Sequence, residues 1–456
     1  MFKPIFDQFV VEAPIAVIAR STMERLLNSE QLDDWFDQVA KEQYTRNLLF
    51  SSVFDVMSQV VLGSRPSVHA AYQASEEKVG VTITSVYNKI NGIEPNISAQ
   101  LVRYVVEKAE PVIQELIGTT GGPFPGFRIK LLDGNCIEKS QHRIEELRHI
   151  AAGPLPGKSL VVYDPNLRIP IDVFPCEDGH AQERLLLPAV LETVKPKDIW
   201  TADRNICTVG FTCGTASKGA FFIIREHKNY PYRPAGQEFM VGETETGTVY
   251  EQDINVVDEH GNNHIFRRCR IRLKKETRDG DNEISIISNL PKEVATAIEI
   301  AEVYRTRWKI ETAFQELTEH LNSEINTLGY PRAALFGFCV ALVSYIIFSV
   351  VKAAIENVHG KDVVENKISG FYVADEISGT ARGMTIAIPD QEWVFLQDIT
   401  TAEFIVLLQY CAEKIKLSKY RKHCRGPKKP MPKRTFNKNS PHVSTAKLLA
   451  KRIKSG

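Results

Sequence analysis

No two cysteines in this chain are spaced as CxxC, and none of the eight, at positions 136, 176, 207, 213, 269, 339, 411 and 424, falls into a Cys/His zinc pattern. That argues against a zinc finger or a dithiol redox centre, and reduced thiols of an intracellular protein are the simplest account. A secretory leader is missing too. The opening MFKPIFDQFVVEAPIAVIARS carries Asp7 and Glu12 inside its apolar run and has no basic start followed by an uninterrupted apolar stretch. The expected location is therefore the cytoplasm. Internal repeats and long low-complexity segments are absent. Long hydrophobic runs are limited to residues 333–351, which are 19 uncharged residues. A single such run in an otherwise soluble composition reads as a buried core helix, and no membrane partner is expected.

Acidic residues are missing from one region only. Residues 414–456 hold 15 Lys and Arg and no Asp or Glu, whereas the first 413 residues hold 41 basic against 56 acidic. The zero net charge thus hides a strongly basic tail, which suits a polyanion. Residues 1–117 show helical periodicity, but their 10 basic and 15 acidic residues give a nucleic-acid role there no electrostatic support.

After GTTGGPFPG, in which six of nine residues are Gly or Pro, the pattern changes. FRIKLLDG reads as a strand, and KSLVVYDPNLRIPIDVFP as two strands joined at Asp164-Pro165-Asn166. HAQERLLLPAVLETV then reads as a helix and DIWTADRN as a further strand. Three strands, a helix and a strand open an α/β fold of ribonuclease H-like type, an order that many α/β domains share. Residues 228–283 turn Gly-rich and strand-like. Within them RRCRIRLKKETR has seven basic residues and one acid, and an extended backbone puts Arg270, Arg272 and Lys274 on one face, a strip suited to phosphate or simply to solvent. EISIISNLP reads as a strand returning to the main sheet.

YRTRWKIETAFQELTEHL, residues 304–321, reads as one amphipathic helix. Val303, Ile310, Phe314, Leu317 and Leu321 form its apolar sector, and Arg305, Lys309, Thr312, Glu316 and Glu319 its solvated one. Tyr304, Arg307, Glu311, Gln315 and Thr318 form a third strip beside the apolar sector. Arg307 and Glu311 could be an ordinary i,i+4 pair, or a carboxylate at the rim of a cleft with a guanidinium for an anion. Asp133 in IKLLDGN and Asp203 in IWTADRN both close apolar strands, where a carboxylate is costly unless it is paired, hydrogen-bonded or metal-bound. With Glu311 they make three oxygen donors able to hold two magnesium ions for phosphodiester chemistry.

LLDGN, IWTADRN and SNLPKEVATAIEIAEVYRTRWKIETAFQEL resemble the DDE transposases of the insertion sequence 4 family. The resemblance covers roughly residues 127–350. It implies a ribonuclease H-like mixed sheet interrupted by a β-rich insertion, with Asp133, Asp203 and Glu311 as the catalytic and metal-binding triad. Two Mg2+ ions are implied, with Mn2+ as a substitute. The family's Tyr, Arg, Glu, Lys signature is met at Tyr304, Arg307 and Glu311 and departs at Thr318, where Lys is expected. Tyr304, Arg307, Arg204, Arg270, Arg272 and Lys274 are the DNA-contacting candidates. The expected partner is double-stranded DNA, transposon ends and target, with a homodimer acting on it. The implied reaction is end cleavage followed by 3′-hydroxyl strand transfer by a cut-and-paste route. The alternative is an inactive transposase-derived DNA-binding protein.

On this reading the chain divides into a helical region at 1–117, a linker at 118–126, a first core segment at 127–227 and the insertion at 228–283. A second core segment with the Glu311 helix follows at 284–355, then a helical C-terminal region at 356–413 and the basic tail at 414–456.

Overall fold

The computed structural model describes residues 2–43, 47–118, 121–138, 140–141, 144–145, 155–277 and 280–423. Most of the basic tail, residues 424–456, lies outside the described residues.

The first hundred or so residues form helices α1 (Asp7–Glu12), α2 (Pro14–Leu26), α3 (Ser29–Val39), α4 (Phe50–Val61), α5 (Val68–Val79), α6 (Ile83–Gly92) and α7 (Pro95–Ile117). Local chemistry sets their starts. Asn28, Ser67 and Thr82 each accept a backbone N–H of the first turn, and Pro14 and Pro95 sit at first helical positions, where no N–H is needed.

The sheet contains β1 (Arg128–Ile137), β2 (Gly157–Asp164), β3 (Ile169–Cys176), β4 (Asp198–Ala202), β5 (Phe221–Arg225), β6 (Arg233–Pro234), β7 (Phe239–Glu243), β8 (Gly247–Val257), β9 (Asn263–Leu273) and β10 (Glu283–Ser288). Their order is β3-β2-β1-β4-β5-β10-β9-β8-β6, with β7 also paired to β8. β2 runs antiparallel to its neighbours β1 and β3, while β4 and then β5 run parallel to β1. α8 (Leu187–Glu192) and α9 (Val209–Ser217) cover one face. The strand-rich segment before residue 283 does not form a separate sheet. β10 pairs with β5 on one side and β9 on the other, so the insertion extends the main sheet.

Alternation along the strands feeds two cores. Leu131, Ile199 and Ile286 belong to the larger one, which also takes in the N-terminal helices; Leu132, Trp200, Phe222 and Ile287 belong to the other. α10 (Ala297–Arg305), α11 (Trp308–His320) and α12 (Pro331–His359) follow β10, and α13 (Gly370–Ala387), α14 (Phe395–Asp398) and α15 (Thr401–Glu413) complete the C-terminal region. α12 is long and apolar enough to cross a membrane by length and composition, yet its apolar stretch is wholly buried. It packs against α7, α4, α2 and α15 on one side and β2 and β3 on the other. A helix surrounded in this way is apolar all round because every face meets protein.

Residues 304–321 are not one helix. α10 ends at Arg305, and Thr306 and Arg307 form a turn before α11 begins. Thr306 N–H and Arg307 N–H reach back three residues to Val303 and Tyr304, while the Thr306 hydroxyl donates to Val303 O at 2.7 Å. These tighter bonds break the regular ladder. Glu316, read from the wheel as solvated, is half-buried. It accepts from Lys352 Nζ at 2.8 Å and Tyr345 Oη at 3.0 Å, which ties α11 to α12.

Candidate active site

Strand register brings the first two acids together. In the parallel β1/β4 pair Leu132 lies opposite Ala202, so Asp133 and Asp203, the next residue on each chain, stand side by side where β4 ends. Parallel neighbours are about 4.8 Å apart, which places their carboxyls within strong electrostatic reach. Asp133 Oδ1 accepts the N–H of Gly134 at 2.9 Å, and Asp203 Oδ1 accepts the N–H of Asn205 at 2.9 Å.

The third acid arrives from α11, which packs on β1. Arg307 sits at the α10–α11 turn and is 9% exposed. Its Nη1 donates to Asp133 Oδ2 at 3.0 Å, and its Nη2 pairs with Glu311 Oε1 at 2.7 Å. One guanidinium therefore bridges the strand acid and the helix acid. The Arg307 Nε is buried without a partner, and the side chain lies over the Trp308 ring, 5.4 Å from its centroid. Tyr304 is buried beside Arg307, and burial raises its phenol above the usual value.

Burial also pushes Asp133 up to about 7; Arg307 opposes the rise, while the charges of Asp203 and Glu311 add to it. A carboxyl that holds a proton near neutrality, with two acids and one cation around it, is the environment in which functional groups are found.

Carboxylate oxygens are the donors that magnesium favours, and the three acids fit that ion chemically. Geometry adds a condition. Among the described residues no three His, Cys, Asp or Glu side chains converge closely enough to hold an ion. Asp133 and Glu311 each give an oxygen to Arg307, so an ion between them requires the guanidinium to move.

The remaining candidates fare differently. Arg204 is exposed and lines a cleft of about 460 Å³ with Arg225, Glu226, His227, Lys228, Arg268, Glu283 and Ser285. Arg270 is already paired with Glu238 and with Glu283. Lys274 donates to Thr244 O at 3.1 Å and faces Glu243, while Arg272 is exposed. Much of the basic strip is thus neutralised within the sheet. A larger hollow of about 750 Å³, between α2, α4 and α13, is lined by none of the three acids.

Sequence reading missed Trp308, whose indole is 63% exposed beside Arg307, and the basic cleft residues Arg225, His227 and Lys228. An aromatic next to the apolar sector could have flagged Trp308. The cleft has no local signal, because β5, β9 and β10 contribute to it from distant positions. Arg267 was also missed. It is 6% exposed, pairs with Glu251 at 2.7 Å and donates to the carbonyls of Leu290 at 2.8 Å and Ala295 at 2.7 Å, which fastens the insertion to the loop entering α10.

Residues 156–347 match a family described as the transposase DDE domain. A Sinorhizobium fredii protein named y4zB and assigned as a transposase is 25% identical over 193 residues, 42% of this chain and 52% of that one. The match therefore spans about half the length of this relative. Among solved structures, a piggyBac transposase synaptic complex with hairpin DNA aligns at TM-score 0.35 and 13% identity, covering 87% of this chain and 84% of that chain. Asp203 and Glu311 lie inside the family match and Asp133 before it. The central part of this chain, residues 156–347, is thus similar to the DDE domain of transposases.

Proposed function

We propose that this chain is a DNA transposase of the insertion sequence 4 type, which cleaves DNA at transposon ends and joins the freed 3′-hydroxyl to target DNA. The observation that carries the reading is the meeting of Asp133 and Asp203 at adjacent strands with Glu311 brought opposite through Arg307. The strand order β3-β2-β1-β4-β5, three antiparallel strands followed by two parallel ones, supports a ribonuclease H-like core. The match to a transposase DDE domain and the likeness to a relative named as a transposase support the same activity class.

In this reading Asp133, Asp203 and Glu311 hold Mg2+ or Mn2+, which when bound activates an attacking oxygen and stabilises the leaving oxygen of a phosphodiester. The side chains of the protein position the rest. Arg307 transfers from the carboxylates to a DNA phosphate, as a planar fork suited to two phosphate oxygens. Arg204 and Lys228, exposed at the mouth of the cleft next to Asp203, continue the positive path along the backbone. Trp308 offers a stacking surface for an unpaired base. The basic tail adds sequence-independent affinity, and two ends brought together imply at least a dimer on DNA.

The test is a supercoiled plasmid carrying the element's own ends, incubated with Mg2+ or with Ca2+. Wild type should cut and join in Mg2+, whereas Glu311→Gln should bind the same DNA within several fold and leave it uncut. Wild-type cleavage by that variant would remove Glu311 from the site. Binding without any strand cleavage by the wild type would remove the enzymatic reading altogether.

A further inference from the structure

A cation already stands among the three acids. Arg307 Nη1 donates to Asp133 Oδ2 at 3.0 Å and Nη2 pairs with Glu311 Oε1 at 2.7 Å, so the guanidinium spans two of the carboxylates that a divalent ion would have to bridge. A guanidinium keeps its charge throughout the physiological pH range, so a better anion is what removes it.

This position does not meet every donor of Arg307. Its Nε is buried and has no acceptor, and only 11% of the side chain is exposed. An unmet buried donor is costly, which lowers the cost of drawing the side chain elsewhere. Arg307 also stands in the turn between α10 and α11, where its side chain caps neither helix. The neighbouring Trp308 ring, 63% exposed, lies 5.4 Å from the guanidinium carbon and marks the side on which the site opens to solvent. A phosphate arriving there presents two oxygens to the planar fork.

We infer that Arg307 is a latch that keeps divalent ions off Asp133 and Glu311 until a DNA phosphate takes the guanidinium, so that ion binding waits for DNA. The inference rests on the transposase reading above and adds its regulation: strand cleavage is confined to chains already seated on DNA. Linkage makes the coupling reciprocal, so the ion also strengthens the grip on DNA by the same factor.

Mn2+ binding by the full chain, followed by the electron paramagnetic resonance signal of the free ion, tests this without reading cleavage. It is measured with and without a short duplex of the element's own end, and Asp203→Asn with the same duplex gives the background of ions held by DNA phosphate. Wild type should bind Mn2+ about tenfold more tightly with the duplex, within the usual range for coupled sites. Arg307→Gln, checked for folding by its melting transition, should bind Mn2+ without DNA about as tightly as wild type does with it, and gain less than about twofold from the duplex. Should Arg307→Gln fail to fold, Arg307→Lys serves, because a compact ammonium does not span both acids as the fork does. Equal wild-type affinity with and without the duplex overturns the latch and leaves the three-acid site standing. A variant as dependent on DNA as wild type overturns it too. If wild type binds the duplex but no Mn2+ above background in either state, the transposase reading falls with it.

Discussion

Removing Arg307 exposes the electrostatic logic of the site most directly. At 3.0 and 2.7 Å its contacts with Asp133 and Glu311 each carry roughly 5–6 kcal/mol of attraction at an effective dielectric constant of about 20. Most of that is offset by the cost of burying the guanidinium, and Glu311 is itself 36% exposed. A net loss of about 2–3 kcal/mol for Arg307→Gln is therefore expected at pH 8 to 8.5. The pH dependence separates this cause from simple loss of packing. Folded Asp133, raised to about 7, keeps a proton that the unfolded chain has released, so this part of the stability falls as pH rises from the ordinary carboxylate range to about 7. Without the cation the folded value rises further, and the decline continues above pH 7 by up to about 1.4 kcal/mol per pH unit for one proton. The gap between wild type and variant should thus be smallest at pH 6 and widest at pH 8.5. Differential scanning fluorimetry can read it, since a chain of this length loses roughly one degree of midpoint per kcal/mol. Added Mn2+ should raise the variant's midpoint more than the wild type's, because the vacated position suits a cation. A variant melting together with wild type at pH 8.5, and responding equally to Mn2+, would refute the bridging role.

Three further outcomes follow from other parts of the fold. Arg267→Met leaves Glu251 buried without its cation and frees two carbonyls, so it should cost about 3–5 kcal/mol and lower the melting midpoint by several degrees. Trp308→Ala should change stability by less than about 0.5 kcal/mol, because the indole is exposed, yet weaken binding to single-stranded or hairpin-tipped DNA by about 1–3 kcal/mol in a titration. Truncation after His423 removes ten Lys and Arg and should flatten the dependence of DNA affinity on salt by about 0.9 in logarithmic slope for each phosphate that the tail no longer neutralises. The cut belongs there and not at residue 414, because Tyr420 is buried and bonded to Glu376; an unchanged slope would place the tail outside the interface.

What the sequence carried is local. Alternation and turn residues locate β1 to β4, the apolar run of 333–351 identifies a buried helix, and the chemistry of acids closing apolar strands singles out Asp133 and Asp203. Each depends on neighbours within a few residues, so period and composition suffice. Tertiary structure decided the rest. Whether Asp133 stands beside Asp203 depends on the register of two strands some 70 residues apart, and no local pattern sets it. The break at Thr306–Arg307 was hidden by an unbroken amphipathic period, since the wheel records faces and not the backbone bonds that interrupt them. Glu316 turned inward because α12 supplies Lys352 and Tyr345, and Arg270 lost its freedom to Glu238 and Glu283 from neighbouring segments of chain. Charges are satisfied by whatever the fold brings near, and that pairing is fixed only when the sheet closes.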